Sequence, residues 1–98
     1  MAELKKVADL PEAQQKALFT ILRMNKPAVR TSEVYKKMGG VMSGRSVGAV
    51  LGSLFRNGYL EKVSGGRDKM WRLSDAAERV RGEIMKQVVG VKLYWSQL

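Results

Sequence analysis

Apolar positions along the chain recur at helical spacing in some stretches and alternate in others, and the switch between those periods predicts the order of elements. Val47, Val50, Leu51, Leu54 and Phe55 fall at i, i+3, i+4, i+7 and i+8, which gathers them into one stripe of a helix. Ser43 precedes that stripe as a cap, its hydroxyl suited to accept from one of the unpaired N–H groups of the first turn. Asn57-Gly58 follows it, either residue able to take the left-handed backbone with which helices commonly stop. Tyr59 to Val63 and Lys69 to Leu73 are then short runs rich in β-branched, aromatic and aliphatic residues. Ser64-Gly65-Gly66-Arg67-Asp68 joins them with the chemistry of a hairpin turn.

The flanking chain obeys the same logic. Leu4, Val7 and Leu10, set among Glu3, Lys5, Lys6 and Asp9, fit either a frayed arm or a short helical turn. Asp9-Leu10-Pro11-Glu12 starts a helix with Pro near its first position and an acid in its first turn. Ala17, Leu18, Ile21 and Leu22 form its stripe, and Asn25-Lys26-Pro27 closes it, since Pro disfavours helical geometry in the preceding residue. Pro27 to Arg30 is extended and supplies a third strand for the hairpin. Thr31 caps a second helix, Ser32 to Met38, with Val34, Tyr35 and Met38 facing the core and Gly39-Gly40 ending it. Beyond the hairpin, Ser74 caps a helix beginning Asp75-Ala76-Ala77. Ala77, Val80, Ile84 and Val88 share its apolar face, opposite Glu78, Arg79, Arg81, Glu83 and Lys86. Val88 to Trp95 is apolar all round, fits a helix or an alternating strand, and needs a surface to pack against.

This order predicts an α+β, mostly α, winged helix-turn-helix: a three-helix core, a β-hairpin wing and an additional C-terminal helix. Residues 1–10 read as an N-terminal arm, 11–74 as the winged domain and 75–98 as a C-terminal dimerisation element. Ninety-eight residues suffice for one small core.

Charge then narrows the partner. Eighteen Lys and Arg against nine Asp and Glu leave a formal charge of +9, which favours a polyanion over the plainer reading of a solubilising surface. The chain has no Cys and no His, so thiol chemistry, disulfides, the usual zinc sets and the commonest general base are excluded. No phosphate-cradling GxxxxGK[ST] occurs, the glycines of GRSVGAVLG lie within a helical pattern, and no acids pair as a dyad. An enzyme is not expected, nor a cofactor or metal. With no signal-peptide core and no membrane-length apolar run, a cytoplasmic, nucleoid-associated protein is expected.

Turning the central helix by about 100° per residue puts Arg45, Ala49, Gly52, Ser53 and Arg56 opposite the apolar stripe. At ~1.5 Å rise per residue, the two Arg stand roughly 16 Å apart with small residues between them. Gly44, Gly48 and Gly52 form a flanking row, explained either by close packing on the second helix or by close approach to a phosphate. Arg67 and Lys69 sit at the tip and exit of the hairpin, placed for phosphates. Trp71 alternates with Met70 and Arg72 and reads as core, and the six Met read as core filler.

The phrases RTSEVYKKMGG, SVGAVLGSLFRNGYLEKV and RDKMWRLSDAA, within residues 11 to 85, resemble the winged helix-turn-helix superfamily, particularly small bacterial and archaeal regulators of the MarR and PadR kind. The chain departs from the MarR pattern in lacking a long N-terminal dimerisation helix. The resemblance implies a third helix in the major groove, with Ser43, Arg45, Ser46, Ala49, Ser53 and Arg56 at or near the bases, and a wing on the backbone or minor groove through Arg67 and Lys69. It also implies a second helix that meets a phosphate near Thr31, Ser32, Lys36 and Lys37. The expected function is sequence-specific binding of double-stranded DNA by a homodimeric transcriptional regulator. Ile84, Val88, Val91, Leu93, Tyr94 and Trp95 would form the dimer contact, against the alternative that the tail folds back on the first helix. Two other classes stay open: a nucleoid protein binding by charge alone, and a protein-interaction module.

Overall fold

Residues 6–40, 42–64 and 68–86 are described in the computed structural model of the chain. A single 3-10 turn, Val7–Asp9, opens it, and Val7 and Leu10 are both buried in the core. Of the two readings of the opening segment, the helical turn is therefore the correct one for residues 7 to 10. Gln15 secures the junction by donating its side-chain N–H to the Leu10 carbonyl at 2.8 Å. Helix α1 (Glu12–Met24) buries Ala17, Leu18, Ile21 and Leu22 and stops at Asn25, whose φ of 50° is left-handed.

Strand β1 (Val29–Arg30) leads directly into α2 (Thr31–Lys37). That helix starts one residue earlier than expected, and Thr31 does not cap it. Instead the Arg30 amide donates to the Glu33 carboxylate at 2.9 Å, and the Thr31 hydroxyl is engaged with the wing. Val34 and Met38 are buried as expected, but Tyr35 is 40% exposed, because it lies one residue past the inward face of so short a helix. Gly39 and Gly40 then turn the chain with φ of 64° and 79°.

Helix α3 (Gly44–Arg56) is capped by Ser43, whose Oγ accepts from the Ser46 amide at 3.2 Å. Val47, Leu51 and Leu54 are fully buried and Val50 partly so. Phe55, expected in the stripe, is 43% exposed; it sits at the edge and leans its ring on Trp71, centroids 6.1 Å apart. Gly58, with φ of 88°, supplies the left-handed turn after the helix.

Strands β2 (Leu60–Ser64) and β3 (Met70–Leu73) form the hairpin, and β1 adds to the free edge of β3 to give the antiparallel order β1-β3-β2. Trp71 stands opposite Val29 on one side and Lys62 on the other, and a bulge lies between Lys62 and Ser64. Cross-strand Glu61 and Arg72 are ion-paired at 2.7 Å. Three helices around Leu18, Leu22, Val34, Val47, Leu51 and Leu54, closed by this sheet, make a winged helix.

The C-terminal helix is not continuous. Helix α4 (Asp75–Arg79) ends at Val80, where φ is −115°, and helical structure resumes over 81–86. The break aims Ala77 and Ile84 into the core, leaving Ile84 only 4% exposed, while Val80 is 37% exposed. Ile84 is thus an internal packing residue, which removes it from the expected dimer contact. Val88, Val91, Leu93, Tyr94 and Trp95 lie outside the described residues. Arg81 ties this segment to the end of α1, donating to the Leu22 carbonyl at 3.3 Å and the Asn25 side chain at 3.0 Å, where a cation also complements the helix dipole. No helix among the described residues is long and apolar enough to cross a membrane.

Ser74 bonds on both sides of its hydroxyl: Oγ accepts from the Ala77 amide at 3.1 Å and donates to the Gly58 carbonyl at 2.6 Å. Ser74 and Ala77 are buried and Gly58 is half-buried. Ser74→Ala removes a helix cap and leaves the Gly58 carbonyl unpaired. The expected loss is about 1–3 kcal/mol in urea unfolding.

Candidate nucleic-acid interface

The outer row of α3 is built as the helical period requires. Arg45, Ala49 and Arg56 are exposed, and Gly52 and Ser53 are half-buried beside them. Arg45 projects from the first turn. Arg56, at the other end, folds back along the helix: its guanidinium donates to the Ser53 hydroxyl at 3.0 Å, and one of its nitrogens lies 3.6 Å from where a Cβ on Gly52 would stand. The Ser53 hydroxyl in turn donates to the Ala49 carbonyl at 3.1 Å. Ser43 and Ser46 are committed to the cap, their hydroxyls 3.0 Å apart. No acid occurs anywhere in α3, so two cations and a line of small side chains face solvent together.

The glycine row does not meet α2 tightly. A Cβ built on Gly44 would lie 3.9 Å from the Tyr35 ring and one on Gly48 would lie 4.0 Å from the Thr31 methyl, both ordinary van der Waals contacts. Alanine fits at either position, so close packing on the second helix does not explain the row.

The wing base and the start of α2 are clipped together. Asp68 accepts from the Ser32 hydroxyl at 2.7 Å and from the Ser32 amide at 3.1 Å. The Lys69 carbonyl accepts from the Thr31 amide at 3.0 Å and the Thr31 hydroxyl at 3.2 Å. The indole N–H of Trp71, itself 2% exposed, donates to the same Thr31 hydroxyl at 3.0 Å. Thr31 and Ser32 therefore serve the fold, and the N-terminus of α2, expected to meet a phosphate, is occupied by the chain's own aspartate. The Ser32 hydroxyl first, then its amide, hold the Asp68 carboxyl below the usual carboxylate range.

The remaining candidates separate. Lys69 is exposed beside the clip, and Arg67 lies outside the described residues. Lys36 and Lys37 are exposed but line a cleft between α1 and α2, shared with Phe19 and Arg23, instead of joining the α3 row. Sequence reasoning missed Lys62, whose ammonium stands 5.7 Å from the Phe55 ring centre and 5.9 Å from that of Trp71. Its signal was available, since Lys62 faces Trp71 once the hairpin register is drawn. Asp68 was missed for a different reason: its partner lies thirty-six residues away. Among the described residues, no three His, Cys, Asp or Glu side chains converge as a metal site would require.

Core, hairpin and exposed third helix together define a winged helix-turn-helix module. No protein-family model and no curated protein sequence matches this chain. Among solved structures, it is similar to the type III plasmid segregation protein TubR, with a TM-score of 0.57 and 20% identity over 89% of this chain and 91% of that one. A mutant of TubR superposes equally well, at a TM-score of 0.57 and 22% identity over 83% and 82% of the two chains. At that identity the likeness is one of fold.

Asp68 offers a direct check on the clip. Because its folded-state pKa is lowered, the stability it contributes is fully present above about 3.9, the unfolded value, and is lost as pH falls through the lower folded value. A carboxyl titration followed by NMR is expected to give a midpoint below that of an ordinary Asp. Ser32→Ala moves it back up.

Proposed function

We propose that this protein binds double-stranded DNA through α3, with Arg45 reading base edges in the major groove and Arg56 and the wing on the backbone. The observation that carries this reading is the outer row of α3, which is cationic at both ends, free of acids, and lined by glycines that the packing has room to replace. Glycine in a helix costs roughly 0.5–1 kcal/mol relative to alanine, so a row without a packing reason calls for another one. Close approach of a polyanion supplies it, and the net charge of +9 attracts one. Arg45 lies near the helix N-terminus, where winged helices make their base contacts, and Arg presents two donors to guanine. Lys69 and Lys62 add cations along the wing.

Two roles fit such a module. The local likeness of α2, α3 and the wing to MarR- and PadR-type proteins supports a sequence-specific transcriptional regulator. The fold neighbours support a second: they are plasmid-segregation proteins, and a plasmid is duplex DNA. Selection from a random duplex library, followed by affinity measurement at fixed salt, tests both. A single enriched site with two-fold symmetry supports regulation, and enriched tandem repeats support segregation. Binding without enrichment leaves attachment by charge alone.

Homodimerisation belongs to the same proposal. With Ile84 internal, it now rests on Val88, Val91, Leu93, Tyr94 and Trp95, a run too apolar for a solvated tail. A dimer presents two α3 helices to half-sites about 34–36 Å apart.

Arg45→Ala is expected to cost about 1–3 kcal/mol on the selected site and to relax preference at one base pair, measured by fluorescence anisotropy. An equal loss on every sequence reassigns Arg45 to a phosphate. Gly48→Ala is expected to raise folding stability by roughly 0.5–1 kcal/mol in urea while lowering duplex affinity. Stabilisation with unchanged affinity removes the glycine row from the interface. A chain ended after Lys86 is expected to sediment as a monomer and the full chain as a dimer.

A further inference from the structure

Cations that the duplex-binding reading leaves unused gather in the cleft between α1 and α2. Phe19 and Met24 give it an apolar lining, and Arg23, Lys36 and Lys37 bring positive charge. Its one acid among the described residues, Glu33, is already committed. An ion pair with Lys26, and then the Arg30 amide, hold that carboxyl below its usual range. Phe19 and Met24 are partly buried against the core, and the Arg23 guanidinium stands 5.6 Å from the Phe19 ring centre. Phe19, Arg23 and Met24 all belong to α1, which packs against α3; the buried residues of α3 are Val47, Leu51 and Leu54, while Arg45 and Arg56 are exposed.

Charge alone does not distinguish a nucleic acid from an acidic protein here, but the apolar lining does. A duplex backbone presents phosphates and sugars, and it has no side chain to bury against Phe19 and Met24. A peptide segment carrying carboxylates around an aliphatic or aromatic residue satisfies both halves of the cleft at once. The chain's own residues 87–98 contain Lys92 and no acid, so their charge does not complement this site.

We infer that the α1–α2 cleft docks an acidic, amphipathic segment of a partner protein, its carboxylates on Arg23, Lys36 and Lys37 and its apolar side chain against Phe19 and Met24. The site is separate from the α3 row, so the module joins a polyanion on one side to an acidic protein on the other. This does not depend on which role the duplex binding serves.

The probe is a short fluorescein-labelled peptide alternating Glu and Leu with one Trp, followed by anisotropy with the full chain. The double variant Arg23→Glu, Lys37→Glu is expected to weaken it by at least about tenfold, while Arg45→Glu, Arg56→Glu, with the same net charge, weakens it by less than about threefold. Replacing Leu and Trp of the probe by Ser is expected to abolish binding. Amide shifts in the unmodified protein, which need no variant to fold, are expected to move at Phe19, Arg23, Met24 and Lys37. Equal losses in the two double variants, or equal binding of the Ser probe, overturn the inference in favour of bulk charge. A cleft variant that loses duplex affinity as strongly as peptide affinity overturns it in favour of nucleic acid.

Discussion

The hydroxyl of Thr31 holds the wing to the helical core. Trp71 sits in the middle strand of the sheet, buried to 2% exposure, and an indole N–H in that position needs an acceptor. Thr31 provides it and donates its own O–H to the Lys69 carbonyl, so one side chain satisfies a polar group of β3 and one of the residue that precedes it. Leaving a buried donor unpaired costs about 1–3 kcal/mol, comparable to the margin on which small domains fold. Because Thr31 is also the first residue of α2, the start of that helix and the base of the hairpin cannot move independently.

This coupling constrains how the proposed duplex-binding surface is arranged. The first turn of a helix has N–H groups without intrahelical partners, and a phosphate often fills that place. Here Asp68 fills it from the wing side, supplying the anion internally. In the proposed mode of binding, the work of meeting a polyanion then passes to α3 and the hairpin. The clip keeps those two in fixed relation, since α2 carries the wing base at its N-terminus and α3 through the Gly39-Gly40 turn at its other end.

Much of this was legible in the chain. Stripes at helical spacing located α1 and α3 closely, and Ser43, Ser74, Asn25 and Gly58 act where capping chemistry places them, because these effects are local. The errors fall at edges and at distance. Tyr35 and Phe55 carry the right period but lie one position beyond the buried arc, and periodicity does not say how wide that arc is. A uniform three-and-four spacing from Ala77 to Ile84 hides the break at Val80, after which Arg81 reaches the end of α1. Ile84 then turns inward, which reverses its expected role. Asp68 looked like a turn residue, and only the fold brings Ser32 to it.

The acids explain why the positive charge is not spread evenly. Glu12, Glu33, Glu61 and Glu78 are each paired with a cation, to Lys16, Lys26, Arg72 and Arg81 respectively, and Asp68 is held by Ser32. Exposed pairs of this kind contribute little to stability, a median of about 0–1 kcal/mol each, but they cancel charge locally. Among the described residues, Arg45 takes part in no such pair, and neither does Arg56, whose one side-chain bond goes to the neutral Ser53. Part of the excess is therefore left on the row of α3, along α2 and at Lys62 and Lys69 of the hairpin. At physiological salt, charges separated by more than about 8 Å are largely screened from one another. The positions of Arg45 and Arg56 stand roughly 16 Å apart along the axis, and the Arg56 guanidinium turns back from its end toward Ser53. Under the proposed duplex binding, two cations on one helix suit α3 to hold a backbone at one end while reading base edges at the other.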